Sequence, residues 1–115
     1  MKLYHWTCNH GRPGIEASGV VEPRFLRGLG TLAWFRSGPH PDPLRTGLLS
    51  RCSGVGTDRY RAAWRFVVLE PEKCQPWRSS DARKKSESWA PRQIERLGNP
   101  WNWYVATESA RVVLG

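Results

Sequence analysis

The sequence predicts an α+β fold: one small domain over residues 1–115, with a curved, mainly antiparallel sheet and short helices. Three observations predict it. Strand-like segments stand near both ends of the chain, at Lys2–Thr7 and Arg111–Leu114. Short helical patterns lie between further strand patterns, a mixture that favours an antiparallel sheet over a doubly wound parallel one. A chain of 115 residues is one typical domain, and it buries roughly 65% of its unfolded surface, so it needs no metal or disulfide to build a core.

The elements follow in order. In Lys2–Thr7, Leu3, His5 and Thr7 share one face, and Lys2, Tyr4 and Trp6 share the other, the period-two pattern of a strand. Cys8–Ser18 carries Pro13, suited to a first helical turn, and Gly19, suited to the position past a helix end. Gly11 and Gly14 weaken that pattern, so one short helix is expected. Val20–Val21 leads into Pro23 as a short extended piece, and Gly28 and Gly30 are turn residues. Thr31–Arg36 reads as a second strand with Leu32 and Trp34 on one face. Ser37–Pro43, with Pro39, Pro41 and Pro43, is a loop, Leu44–Leu49 a short turn or helix, and Arg51–Asp58 is rich in Gly and Ser.

The clearest strand is Arg59–Leu69. Tyr60, Ala62, Trp64, Phe66 and Val68 form its core face, and Arg59, Arg61 and Arg65 its other face. Residues 70–90 read as a polar connector, of a length usually functional or mobile, with a helix from about Ser80. Pro91–Leu97 reads as a short helix stopped by Gly98, Trp101–Thr107 as a strand, and Arg111–Leu114 as the last strand.

The formal net charge is +8, carried mostly by arginine. Either the chain has a basic surface typical of GC-rich coding, or it meets a polyanion such as nucleic acid or a dinucleotide. Cys8, Cys52 and Cys74 are odd in number and far apart, which argues against a disulfide framework and for a reducing, cytoplasmic compartment. No apolar run approaches the roughly 18–20 residues that span a bilayer, so no membrane role is expected. His5, Cys8 and His10 match no standard zinc spacing, and no metal is expected.

His5 and Thr7 project from one strand face, where an imidazole and a hydroxyl can hold a ribose or an amide by hydrogen bonds. The alternative is a structural histidine in a half-buried strand.

The segment Leu3-Tyr4-His5-Trp6-Thr7, the helix after it and Ala17-Ser18-Gly19-Val20 together resemble the opening of the ADP-ribosyltransferase superfamily. The likeness is to small phage and bacterial proteins akin to DNA-targeting ADP-ribosyltransferase toxins and, more distantly, RNA 2'-phosphotransferases. It is sharp over about the first 20 residues; Leu32-Ala33-Trp34-Phe35 and Trp101-Asn102-Trp103-Tyr104-Val105 extend it loosely.

The resemblance implies NAD as cofactor, with His5 on a ribose and Tyr4 and Thr7 beside it. It implies Trp34 or Phe35 stacking on nicotinamide, Arg59 near the pyrophosphate, and Glu108 as the acid that opposes charge on the ribosyl transition state. His5 and Glu108 are then the catalytic pair. The chain departs from the pattern in its shortness and in lacking a clear acceptor-recognition loop near Glu108, so a binding-only member stays open. Along a strand Arg59 and Arg61 would stand roughly 7 Å apart and Arg65 roughly 13 Å further on. Together with Trp77, Trp89, Trp101 and Trp103 they suggest a single-stranded nucleic-acid groove. The remaining alternative is a non-catalytic basic phage-type protein that binds a host protein or nucleic acid.

Overall fold

The computed structural model describes residues 1–7, 11–38, 64–96 and 99–115. Alternation at the N-terminus gives β1 (Tyr4–Thr7). Helix α1 (Arg12–Ser18) starts with a proline in its first turn and ends at Gly19, whose φ of 73° is the left-handed C-terminal cap that favours glycine. The Gly19 N–H donates to the Ile15 carbonyl at 2.7 Å. Strand β2 (Val20–Val21) follows, as the extended piece predicted there.

Two strands went unforeseen. One is β3 (Arg24–Leu26), which turns through Gly28 (φ 81°) into β4 (Gly30–Arg36). Strand β5 (Trp64–Val68) falls within the segment Arg59–Leu69 read as the clearest strand, whose residues before Trp64 lie outside the described residues. The other is β6 (Gln75–Pro76), which lies between 3-10 turns at Pro71–Lys73 and Trp77–Ser79. Residues 70–90, read as a connector, are thus folded against the sheet, with Trp77 at 0% exposure as their anchor. Helix α2 (Asp81–Lys85) is capped by the Ser80 hydroxyl, which accepts from the Arg83 N–H at 3.1 Å. Helix α3 (Trp89–Glu95) begins two residues before the expected proline start. A 3-10 turn at Pro100–Asn102 takes the first part of the Trp-rich segment, leaving β7 (Trp103–Ala106), and β8 (Ala110–Leu114) closes the chain.

Every strand pairing among the described residues is antiparallel, in the order β2-β8-β5-β1-β4-β7-β6, with β3 on β4. Four strand steps separate β8 from β7, roughly 19 Å in a flat sheet. The link between them is residues 107–109, which spans at most about 13 Å. The sheet must therefore curl, as predicted. The two halves meet at β1 and β4, which share one register pair, Tyr4 with Arg36, and then part.

Each face of the sheet carries its own core. Leu3, Phe35, Phe66, Val68, Ala106 and Val112 form the first, with Ile15 of α1 against it. Leu32, Trp34, Trp77, Ala90, Trp103 and Val105 form the second, under α2 and α3. The registers place Trp64, Phe66 and Val68 on the face of the first core and Arg65 on the opposite one, in agreement with the alternation. Among the described residues no helix is long and apolar enough to cross a membrane.

Candidate functional site

Where β1 and β4 part, the His5 ring bridges them, one residue beyond the shared pair. A carbonyl oxygen can only accept, so the His5 Nδ1–H donates to the Trp34 carbonyl at 2.8 Å. That fixes the tautomer and leaves Nε2 as a hydrogen-bond acceptor. The imidazole and the neighbouring Phe35 ring meet in a T-shaped arrangement, with centroids 5.8 Å apart.

A cavity of about 410 Å³ opens beside this histidine. His5 and Thr7 line it from β1. Gly11, Gly14, Ile15 and Ser18 line it from the α1 side, and Val20, Val21, Glu22 and Arg24 from β2 and the start of β3. Leu26, Leu32, Ala33 and Trp34 complete it. The volume lies in the range of ordinary small-molecule sites, and the lining combines apolar walls with a few polar groups.

Burial pushes the His5 pKa down to about 4 from 6.5. The Trp34 carbonyl favours the protonated ring and partly offsets burial, and the Arg24 cation depresses the pKa further. The imidazole is neutral near neutral pH, so its acceptor nitrogen is retained.

The structure brings together part of the predicted site. His5 and Thr7 share the cavity, and Thr7 is buried. Tyr4 does not reach it: the β1 alternation turns Tyr4 to the other face, where the Arg65 guanidinium lies 5.0 Å from its ring. Trp34 and Phe35 do not present a stacking face. The Trp34 indole is 3% exposed and sits 4.8 Å from Trp77 and 6.0 Å from Trp103, centroid to centroid. Phe35 is fully buried in the first core. Trp34 serves the site through its carbonyl instead.

Glu108 lies in the turn between β7 and β8. Its side chain is 64% exposed and pairs with Lys73 Nζ at 3.4 Å. It is absent from the lining, where the acidic residue is Glu22. Arg59 and Arg61 lie outside the described residues, as do Cys8, His10 and Cys52. Arg65 is on a strand face as expected, but its Nε donates to the Gly115 carbonyl at 2.8 Å, and Tyr4 and Trp6 flank its guanidinium. Trp77 and Trp103, expected in a groove, are buried in the second core. Burial raises the Cys74 thiol to about 11, with Glu72 adding to the effect, so it is a poor nucleophile. Among the described residues no group of three or more His, Cys, Asp or Glu is placed to hold a metal ion.

Sequence reasoning missed Glu22, Arg24 and the glycines of α1. Glu22 and Arg24 flank Pro23, and two opposite charges around a proline turn after a short strand were a usable signal. Gly11 and Gly14 registered only as flaws in a helix pattern. Comparison with protein-family models, curated proteins and solved structures finds no match for this chain.

Proposed function

We propose that the cleft between β1, α1 and β4 binds a nucleotide, and that NAD is the ligand to test first. The observation that carries this is the locked His5 tautomer at the cavity wall. It offers an acceptor beside the Thr7 hydroxyl, a pair suited to the donor and acceptor groups of a ribose or a carboxamide. Arg24 adds a cation suited to phosphate. The likeness of Leu3–Val20 to the ADP-ribosyltransferase opening supports the same ligand. Cleavage of the bond between nicotinamide and ribose develops positive charge on the sugar. In this reading the opposing carboxylate is Glu22, and Glu108 has no part.

The test is calorimetric titration with NAD. Wild-type protein is expected to saturate. His5→Ala should weaken binding about tenfold, the scale of one lost hydrogen bond. Glu22→Gln should slow any release of nicotinamide while leaving binding in place. Absence of wild-type binding up to millimolar NAD would overturn the reading.

A second reading, a basic binding module, is favoured by one feature. Trp101 is 72% exposed, and the Arg78 guanidinium stacks on it at 3.7 Å. Lys84 and Lys85 follow on α2. An exposed ring beside cations suits single-stranded nucleic acid. This reading predicts oligonucleotide binding that falls steeply with salt and weakens in Trp101→Ala; a host-protein partner predicts capture insensitive to the oligonucleotide.

A further inference from the structure

Three glycines in the N-terminal third of the chain have different reasons to be glycine. Gly19 has φ 73° at the end of α1. Gly28 has φ 81°, and a Cβ there would meet the Trp89 ring at 2.7 Å and the Ala90 Cβ at 2.8 Å. Backbone or packing demands glycine at both. Among the described residues, Gly14 has neither reason. It lies inside α1, its φ is not positive, and a Cβ there would meet no atom of the described residues within 4 Å. Glycine in a helix interior still costs stability relative to alanine. What Gly14 does have is a place in the cavity wall, with Gly11 and Ser18 on the same side of the helix, three and four residues away, and His5 and Thr7 among the other lining residues.

We infer that Gly14 is a specificity-determining residue of the cleft: its missing side chain is the space in which the ligand lies against α1. This rests on the nucleotide reading above. The wall it leaves is a strip of small residues on the α1 side, Gly11, Gly14 and Ser18, bordered by the apolar Ile15. Such a strip suits a flat group, such as a base or a nicotinamide ring, lying parallel to the helix. Neither Trp34 nor Phe35 offers a ring face for that group, so the glycine strip supplies the surface that an aromatic side chain was expected to provide. Substitution here acts on ligand size with little demand on the fold.

The experiment compares wild type, Gly14→Ala and Gly14→Leu by thermal unfolding and by titration with NAD, ADP-ribose and AMP. Both variants are expected to melt at or above the wild-type temperature, Gly14→Ala by a few degrees, because each improves helix propensity. Gly14→Ala should keep binding within about threefold. Gly14→Leu should lose at least tenfold in affinity for any probe that wild type binds. A lowered melting temperature in Gly14→Ala would mean the fold requires glycine, and would overturn the inference without any ligand. Unchanged affinity in a folded Gly14→Leu would overturn it while leaving the nucleotide reading standing. A wild type that binds none of the three probes would sink the nucleotide reading and this inference with it.

Discussion

The two faces of the curled sheet both bury aromatic residues but are covered differently by the described helices. On the face of the second core, Trp34, Trp77 and Trp103 interlock, and α2 and α3 seal them. The Trp77 Nε1–H donates to Glu95 Oε2 at 2.6 Å, and Arg83 grips both oxygens of the same carboxylate at 2.7 and 3.0 Å. Burial raises the Glu95 pKa, but Arg83 and Trp77 outweigh it and hold the carboxyl below its ordinary value. On the other face, among the described residues, one short helix lies against the first core, and the sheet borders the cavity beside His5. One side stores stability; the other leaves room for a ligand.

Breaking the sealed side should cost most. Trp77→Ala is expected to destabilise the fold by about 3–5 kcal/mol, as for other buried large aromatics, measured by urea unfolding. A loss as small as that of an exposed residue would erase the contrast between the faces.

The open side should show itself in pH. The folded His5 pKa of about 4 lies below the unfolded 6.5. Between those values the unfolded chain binds more protons, so stability falls as pH drops through that window. The full difference is worth about 3 kcal/mol. His5→Gln should remove most of that slope between pH 6.5 and 4.5, read from urea midpoints. An unchanged slope would show that His5 is not held neutral.

Glu95→Gln should cost about 2 kcal/mol, the scale of hydrogen bonds to a charged group. It should leave NAD affinity untouched, because Glu95 belongs to the sealed side. The smallest effect is expected for Glu108→Gln, whose exposed ion pair contributes little. Melting temperature and NAD titration should both match wild type. A loss of nicotinamide release in that variant would return the acid role to the β7–β8 turn.

Much of the fold was legible because it follows from local chemistry. The period-two alternation around Trp64–Val68, the proline and Gly19 at the ends of α1, and the Ser80 cap all act within a few residues. β3 and β6 were missed because two or three residues, one set ending in proline, carry too little pattern; their strand state comes from pairing with β4 and β7. His5 and Thr7 were placed correctly on one face, since parity along a strand is a local property. Trp34 was misread because an aromatic on a strand has two possible sides, and the sequence does not say which side receives a cover.

By itself, then, the sequence determined six of the eight described strands, which side chains share a strand face, and the proline and glycine that bound α1. The tertiary structure decided which face is sealed and which is open, because that depends on how the chain returns. The short β7–β8 link curls the sheet, β1 and β4 part after Tyr4, and a histidine bridges them. Trp77 closes the far face from a segment some forty residues along the chain from Trp34. Glu22 borders the cavity and Glu108 does not for the same reason: proximity in a curled sheet is set by strand order, which no local pattern encodes.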